Sequence, residues 1–269
     1  MWVEEWLPAI KDVFQILFFA VVGIVAVLTY VKAKKSLLQP IKVEIFKEQL
    51  KVCSDVLGLF SGKEEHQLRD DFAFKGLFRA NSCLLLDDYA SLFFDAKIDE
   101  SKAPYNKKNC PRSRVIDIEE FQKSIEVCDG HVVEDVNEKE RKVDKPDPCT
   151  KAAIWSRHTV CIIELPRGFV EMEESLYKIM RSPLLPRKCR RLLDEYMGIV
   201  RKNIYTLGNI LNENAQELPE KYPNIDLMKK ASTDWLHHKY MGQFHTLREK
   251  ANEITNFFSE YFGIERLLD

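Results

Sequence analysis

The sequence predicts a mainly α-helical protein: a single-pass N-terminal transmembrane helix followed by a cytoplasmic helical bundle with an irregular, polar middle insertion. Three observations predict this class: an uncharged apolar run near the start, helical spacing of apolar residues through most of the chain, and a polar stretch between the helical parts. These patterns divide the chain into a membrane anchor at 1–31, a juxtamembrane helical stalk at 32–62, and a helical domain at 63–269 with a loop-rich insertion at 100–150.

The apolar run occupies residues 13–31 and contains no charged side chain. At about 1.5 Å per residue, a helix of this length spans a hydrocarbon core of roughly 30 Å. Trp2 and Trp6 precede the run and Tyr30 lies at its end, as is typical of aromatic residues at the two membrane interfaces. The pattern therefore predicts one transmembrane helix.

Two other interpretations of this run fit the residues less well. A cleaved signal peptide has a positively charged start and a small-residue cleavage site, whereas this chain starts with Glu4 and Glu5 and the run ends in Thr29, Tyr30 and Val31. A buried core helix is seldom apolar over so many residues without a polar face. We therefore expect the segment to remain in the mature protein as an anchor.

The distribution of positive charge predicts the orientation of the anchor. Lys32, Lys34 and Lys35 follow the run directly, whereas Lys11 alone precedes it. Because lysine and arginine near a span favour the cytoplasmic side, we expect the N-terminus outside and the remaining chain inside, at the inner (plasma) membrane. The three lysines are also expected to contact anionic lipid headgroups, at about 1 kcal/mol each.

The composition limits the classes of partner. Lys and Arg total 40 against 42 Asp and Glu, and this near-neutral balance argues against a general nucleic-acid binder. The seven cysteines all follow the anchor. An odd number of scattered cysteines is most simply explained as free thiols in a reducing cytoplasm, which agrees with the predicted orientation.

Helical spacing continues through the stalk. Pro40 marks either a kink in the stalk helix or the first turn of a new helix. Gly62 is expected to end the stalk helix. A second helix is expected over residues 64–95, whose apolar and aromatic side chains make it strongly apolar. Residues 103–114 are typical of an exposed loop. Residues 115–147 are polar and mostly acidic, with a short helix beginning near Asp117.

Residues 152–165 allow two interpretations. The β-branched content from Val160 onward is typical of a strand, but a single strand would lack a partner. A helix through Ile154, Trp155 and His158 is equally compatible with the sequence.

Further helices are expected at 170–181, from Pro186 to near 218, and from 226 to 263. The last two, packed antiparallel on the two that follow the anchor, would form the bundle.

Four residues of the middle segment have the paired spacing of metal ligands: Cys128, His131, His158 and Cys161. Zinc accepts two cysteines and two histidines tetrahedrally, and a structural zinc ion could hold this weakly structured segment together. The alternative is that these residues are unrelated free thiols and surface histidines, because mirrored CxxH and HxxC pairs are not an established zinc pattern.

Two other groups of residues are candidates for function. On the helix expected at 226–263, one face would carry Asp234, His238, His245 and Glu249, and it could polarise a water molecule or simply be polar. The densest basic run after the anchor contains Arg187, Lys188, Arg190 and Arg191. It could contact lipid phosphates, a nucleotide or an acidic partner, or it could be a solvated helix face.

The sequence contains no P-loop, GxGxxG, GxSxG, kinase or deaminase motif. The leading hypothesis is therefore a non-enzymatic, membrane-tethered interaction or effector protein that holds a partner or its own oligomer at the cytoplasmic face. The arrangement resembles small bacterial membrane proteins, and a specific version is a bacterial stress or phage-defence effector. The alternatives are a membrane-anchored metal-dependent hydrolase or nuclease and a lipid or nucleotide sensor.

Overall fold

The computed structural model describes residues 2–99, 109–123 and 148–263. The protein is mainly helical, which confirms this part of the predicted class. Within those ranges the elements follow in the order α1 (Trp2–Phe60), α2 (Glu65–Asp71), α3 (Phe74–Phe94), β1 (Arg112–Val115), α4 (Ile118–Lys123), α5 (Pro148–Trp155), β2 (Ile162–Leu165), α6 (Arg167–Met180), α7 (Arg187–Ala215), α8 (Leu218–Lys221), α9 (Ile225–Met228), α10 (Asp234–Gln243) and α11 (Arg248–Phe262). The chain divides into two compact units, Met1–Asp55 and Val56–Asp269. Most of the insertion predicted at 100–150 lies outside the described residues.

The first helix, α1, is long and apolar enough to span a membrane. Its large apolar side chains between Phe14 and Val31 are 47–70% exposed, as expected of residues whose solvent would be lipid. The helix continues through Pro40 and ends at Phe60. There Gly62 has a φ of +69°, a conformation that glycine adopts without steric cost. The predicted end of this element is therefore confirmed.

The single helix expected over residues 64–95 is interrupted at Phe72 and Ala73, so this prediction was wrong. Two residues apart on one helix, Phe72 and Phe74 would point to nearly opposite sides, since each residue turns the helix by about 100°. A left-handed Ala73, at φ 47°, costs roughly 1–2 kcal/mol but lets both rings pack on Phe169, at 5.5 and 6.0 Å between ring centroids. Gly168 permits this approach, because a Cβ there would lie 3.2 Å from the Cβ of Ala73.

Both interpretations of residues 152–165 are partly correct. α5 ends at Trp155, and β2 then forms an antiparallel pair with β1, in which Arg112 is opposite Leu165 and Val115 is opposite Ile162. The partner strand was missed because it lies at the end of a stretch whose prolines and basic residues are typical of a loop.

Ion pairs attach β1 to α6. The carboxylate of Glu173 is 2% exposed and accepts from Arg114 Nη2 at 2.6 Å and from Arg112 Nη1 at 3.3 Å. Next to them, Ser113 Oγ donates to Glu164 Oε2 at 2.9 Å. A carboxylate withdrawn from water requires such partners, so the two arginines of a short strand fix its position on the helical domain.

Helix α7 provides the centre of the core of the second unit. It packs against α10, α11, α6, α3 and β2, and the predicted start after Pro186 is confirmed. Gly208 makes a close contact possible, because a Cβ at this position would lie 1.9 Å from Ile116 Cδ1. The contact anchors the chain just after β1 on the middle of α7.

Three asparagine side chains each bind the backbone of one distant residue by two hydrogen bonds. Asn81 accepts from the N–H of Glu164 at 2.8 Å and donates to its carbonyl at 2.9 Å, and Asn212 pairs with Val160 in the same way. These two pairs satisfy backbone groups in and before β2 that β1 does not reach. The third asparagine is Asn203, which accepts from His245 N–H at 2.8 Å and donates to His245 O at 2.9 Å.

The one helix expected over residues 226–263 is three helices, α9, α10 and α11, so this prediction was wrong. Asn203 holds His245 in the connection between α10 and α11. The Glu65 carboxylate accepts from the N–H groups of Leu247 and Arg248, both at 2.9 Å. It thereby caps the start of α11, where the first N–H groups of a helix lack intrahelical partners. These side chains replace helical hydrogen bonds and make the interruption stable.

Candidate functional site

The proposed zinc ligands are only partly within the described residues. Cys128 and His131 lie outside them, whereas His158 and Cys161 are near α5 and β2. The part of the chain that the structure describes contains no group of three or more His, Cys, Asp or Glu side chains able to hold a metal ion. The zinc site, and the metal-dependent hydrolase or nuclease that would use it, therefore stay predictions.

A cleft of about 660 Å³ is lined by the C-terminal half of α3, by α5 and by the turn that follows α5. Its volume falls within the range of roughly 300–1,000 Å³ that is usual for small-molecule sites. The charged residues in its walls have both signs: Asp88 on α3 and Asp95 just after it, with Lys151 and Arg157 on the other side next to His158. Such walls suit a small polar molecule that carries both charges.

The base of this cleft is held rigidly. Trp155 Nε1 donates to Ala215 O at 2.9 Å, and the indole stacks on the His158 ring with centroids 4.3 Å apart and an angle of 7° between the planes. The Nε2 atom of His158 is enclosed and has no hydrogen-bond partner among the described residues. The described structure therefore shows no hydroxyl or thiol activated by His158, as nucleophilic catalysis would require.

Burial lowers the pKa of His158, against the opposing effect of the Asp88 carboxylate, and burial likewise lowers the pKa of His237. An unfolded chain takes up protons at the ordinary histidine pKa of about 6.5. At pH values between about 6.5 and the lower histidine pKa values of the folded protein, the unfolded state binds more protons than the folded state. The free energy of unfolding therefore falls as the pH falls.

We expect full-length protein in detergent to unfold at lower denaturant concentration at pH 5.5 than at pH 7.5, and His158→Gln to reduce the difference. The same substitution at the exposed His245 is the control, and equal behaviour of the two variants would contradict the prediction.

The basic run predicted as an anionic-ligand patch lies in the first two turns of α7, where most of its members have local partners. Arg190 Nη2 donates to Ser182 O at 2.8 Å, and Arg191 lies 3.6 Å from Glu195. Lys188 lies 3.8 Å from Glu260 and 5.4 Å above the Phe257 ring. These contacts, together with the exposed Arg187, favour the interpretation of the run as a solvated helix face.

The histidine face expected on the last helix does not exist. Asp234 and His238 belong to α10, His245 lies in the connection, and Glu249 belongs to α11. These four residues would share a face only if residues 226–263 formed one continuous helix. The structure therefore removes the metal or water site that depended on this face.

A second apolar surface lies on α1 after Lys32, Lys34 and Lys35, which are exposed. Six large apolar side chains follow the lysines and are 37–55% exposed: Leu38, Ile41, Val43, Ile45, Phe46 and Leu50. The sequence predicted a packed stalk here, but nothing in the described part of the chain covers these residues. Contiguous exposed apolar surface on a protein usually marks an interaction site.

Three of these residues form one stripe, Leu38, Ile41 and Ile45, which we call the stalk stripe. Its members follow at steps of three and four residues, so they lie on one face of the helix. The other three, Val43, Phe46 and Leu50, have the same spacing on a different face.

Comparison of the chain with protein-family models, with curated protein sequences and with solved structures found no match in any of the three.

Proposed function

We propose that this protein is a membrane-tethered, non-enzymatic interaction protein that assembles with copies of itself through α1 and holds a helical bundle at the cytoplasmic face of the plasma membrane. The observation that carries the proposal is the stalk stripe, whose side chains are 41–55% exposed beyond the uncharged run. The lysines at 32, 34 and 35 would keep the start of the stalk at the headgroups. The stripe would therefore face water unless another helix covered it.

A second copy of the chain is the occupant that the geometry favours. Two copies anchored in one membrane share depth and direction, so their stalks meet parallel and in register. Tethering also raises their effective concentration, which allows a short contact to suffice. In a parallel pair, the stalk stripe occupies the a and d positions of a coiled coil.

Charge favours the stalk stripe over the second stripe. When Leu38 and Ile45 are at position a, the flanking e and g positions place Glu44 opposite Gln49 of the other copy, without repulsion. When Val43 and Leu50 are at position a, the same rule places Lys42 opposite Lys47, which would repel. Glu48 ends the stalk stripe at the next d position, so the pair would be short and would depend on the anchor.

The double substitution Ile41→Glu and Ile45→Glu tests the proposal. Glutamate preserves helix propensity but places like charges between the two stalk helices. We therefore expect the association of two copies to weaken by tenfold or more, equivalent to about 1.4 kcal/mol or more. The measurement is co-purification of two differently tagged full-length copies from the same membranes. Lys47→Glu and Ser54→Glu, at the outward-facing position c of the same register, serve as the matched control and should retain association.

Two outcomes would contradict the proposal. In one, wild-type copies fail to co-purify at any expression level. In the other, the isoleucine double variant associates as well as the control double variant, which would show that the stalk stripe is not the contact.

A further inference from the structure

A second pocket, separate from the stalk, lies on the helical domain between α2, α3 and α10. Its volume is about 230 Å³. Phe74, Tyr240 and Met241 form an apolar floor, and Asp70 is the acidic member of the lining. The rim is basic, and we call this site the basic pocket after its rim residues His66, Arg69, Lys75 and His237.

The guanidinium of Arg69 is held in place at the basic pocket. Its Nη1 atom donates to Met241 Sδ at 3.1 Å, and the group lies 5.6 Å from the centroid of the Phe244 ring. The nearest carboxylate in an ion pair with it is that of Glu65, whose Oε1 is 3.9 Å from Nε. A strong charge-assisted hydrogen bond is about 2.7–2.9 Å long, so Glu65 neutralises this arginine only in part.

Glu65 is also engaged elsewhere. Its Oε2 atom accepts from the two N–H groups at the start of α11, while Oε1 has no hydrogen-bond partner among the described residues. The carboxylate therefore cannot turn towards Arg69 without giving up the cap of α11. The other N–H groups of Arg69 are therefore left to water or to another acceptor.

The imidazole of His237 lies at the same pocket as Arg69 and Lys75. Burial is the first cause that lowers the pKa of this imidazole; the neighbouring His238 lowers it further, as do Arg69 and Arg79, and Asp234 opposes them. Arg69 on α2 and Lys75 on α3 thus bring two fixed positive charges to one small pocket, beside the imidazole of His237 on α10. An anion bound there would relieve their mutual repulsion.

The volume of the basic pocket limits the size of the group that it can bind. At about 230 Å³ it is smaller than the roughly 300–1,000 Å³ usual for drug-sized ligands, so it accommodates one anionic group and little more. Arginine presents its donors in a planar fork that matches phosphate oxygens, and lysine adds a point charge. We propose that the basic pocket binds a phosphate monoester, carried either by a small soluble molecule or by a lipid headgroup, through Arg69 and Lys75.

Two arms on full-length protein test this proposal: calorimetric titration for a soluble ligand and nuclear magnetic resonance for a lipid headgroup. In the first arm, protein in neutral detergent is titrated with glycerol 3-phosphate, with glycerol as the comparison. In the second arm, protein is reconstituted in phosphatidylcholine nanodiscs with or without phosphatidic acid, and the exchange of the Arg69 and His237 side-chain resonances is followed. Saturable binding in the first arm assigns a soluble ligand, and a response to phosphatidic acid alone assigns a lipid headgroup.

Substitutions separate the site from general charge. Lys75→Gln changes an exposed side chain outside the core and should weaken binding by about tenfold, the value of one charge-assisted hydrogen bond. Arg69→Gln should weaken it at least as much, with thermal unfolding as a check on folding. Lys229→Gln, at an exposed lysine just after α9, should leave binding unchanged. Absence of saturable binding in both arms, or equal losses in the Lys75 and Lys229 variants, would overturn the proposal.

Discussion

Asn203→Ala is expected to lower the free energy of unfolding by about 2–4 kcal/mol, because it removes a fully buried side chain together with both hydrogen bonds that hold the partly buried backbone of His245. Asn203 is completely buried. Its side chain bonds both the N–H and the carbonyl of His245, at 2.8 and 2.9 Å. Each buried polar group that loses its partner costs roughly 1–3 kcal/mol, which exceeds the gain in helix propensity from alanine.

Denaturant unfolding of full-length protein in detergent, followed by tryptophan fluorescence, measures this effect. Asn252→Ala on the exposed side of α11 is the matched control, and it should change stability by less than about 0.5 kcal/mol. Asn203→Asp keeps the size and one acceptor but removes the donor, so it should also destabilise. If Asn203→Ala and Asn252→Ala unfold together, the hydrogen bonds to His245 do not contribute as argued.

Phe72→Ala is expected to cost about 3–5 kcal/mol, the range for removing a fully buried phenylalanine. The side chain is 0% exposed. Its ring lies 5.5 Å from that of Phe169, 6.0 Å from Phe74 and 6.1 Å from Tyr196, between centroids. The substitution opens a cavity and also removes the packing that offsets the left-handed conformation of Ala73.

The same unfolding measurement distinguishes this effect from a general loss of apolar surface. Phe72→Leu retains most of the volume and should cost less than half as much. Phe46→Ala removes a ring that is 50% exposed and should leave the unfolding of the helical domain nearly unchanged. A cost below about 1 kcal/mol for Phe72→Ala would mean that the cluster can collapse around the cavity.

The sequence predicted those features of the fold that depend on neighbouring residues. Proline before α7 and glycine after α1 are local signals, and both ends lie where they were expected. The interruptions of the two longest predicted helices depend instead on distant partners. Glu65 caps a helix that begins 183 residues later, and helical periodicity carries no information about such a contact.

The candidate sites were predictable to different degrees. The exposed stripe on α1 is visible in the spacing of apolar residues, although the sequence suggested that these residues were covered. The spacing of Trp155 and His158 is close to one turn of helix and is compatible with the stacking of their rings, whereas the zinc site stays a prediction. The basic pocket could not be predicted, since Arg69 and Met241 are 172 positions apart and only the tertiary fold brings them together.

The cap of α11 by Glu65 has a consequence for biosynthesis. Ribosomes add roughly 5–20 residues per second, so about 10–40 s separate the emergence of α2 from that of α11. Until α6 and α7 emerge, the nascent chain exposes Phe72 and Phe74, whose ring partners Phe169 and Tyr196 lie on those helices. The helical domain therefore completes its folding only at the end of translation, and a chaperone that shields this surface would act on the nascent chain before release.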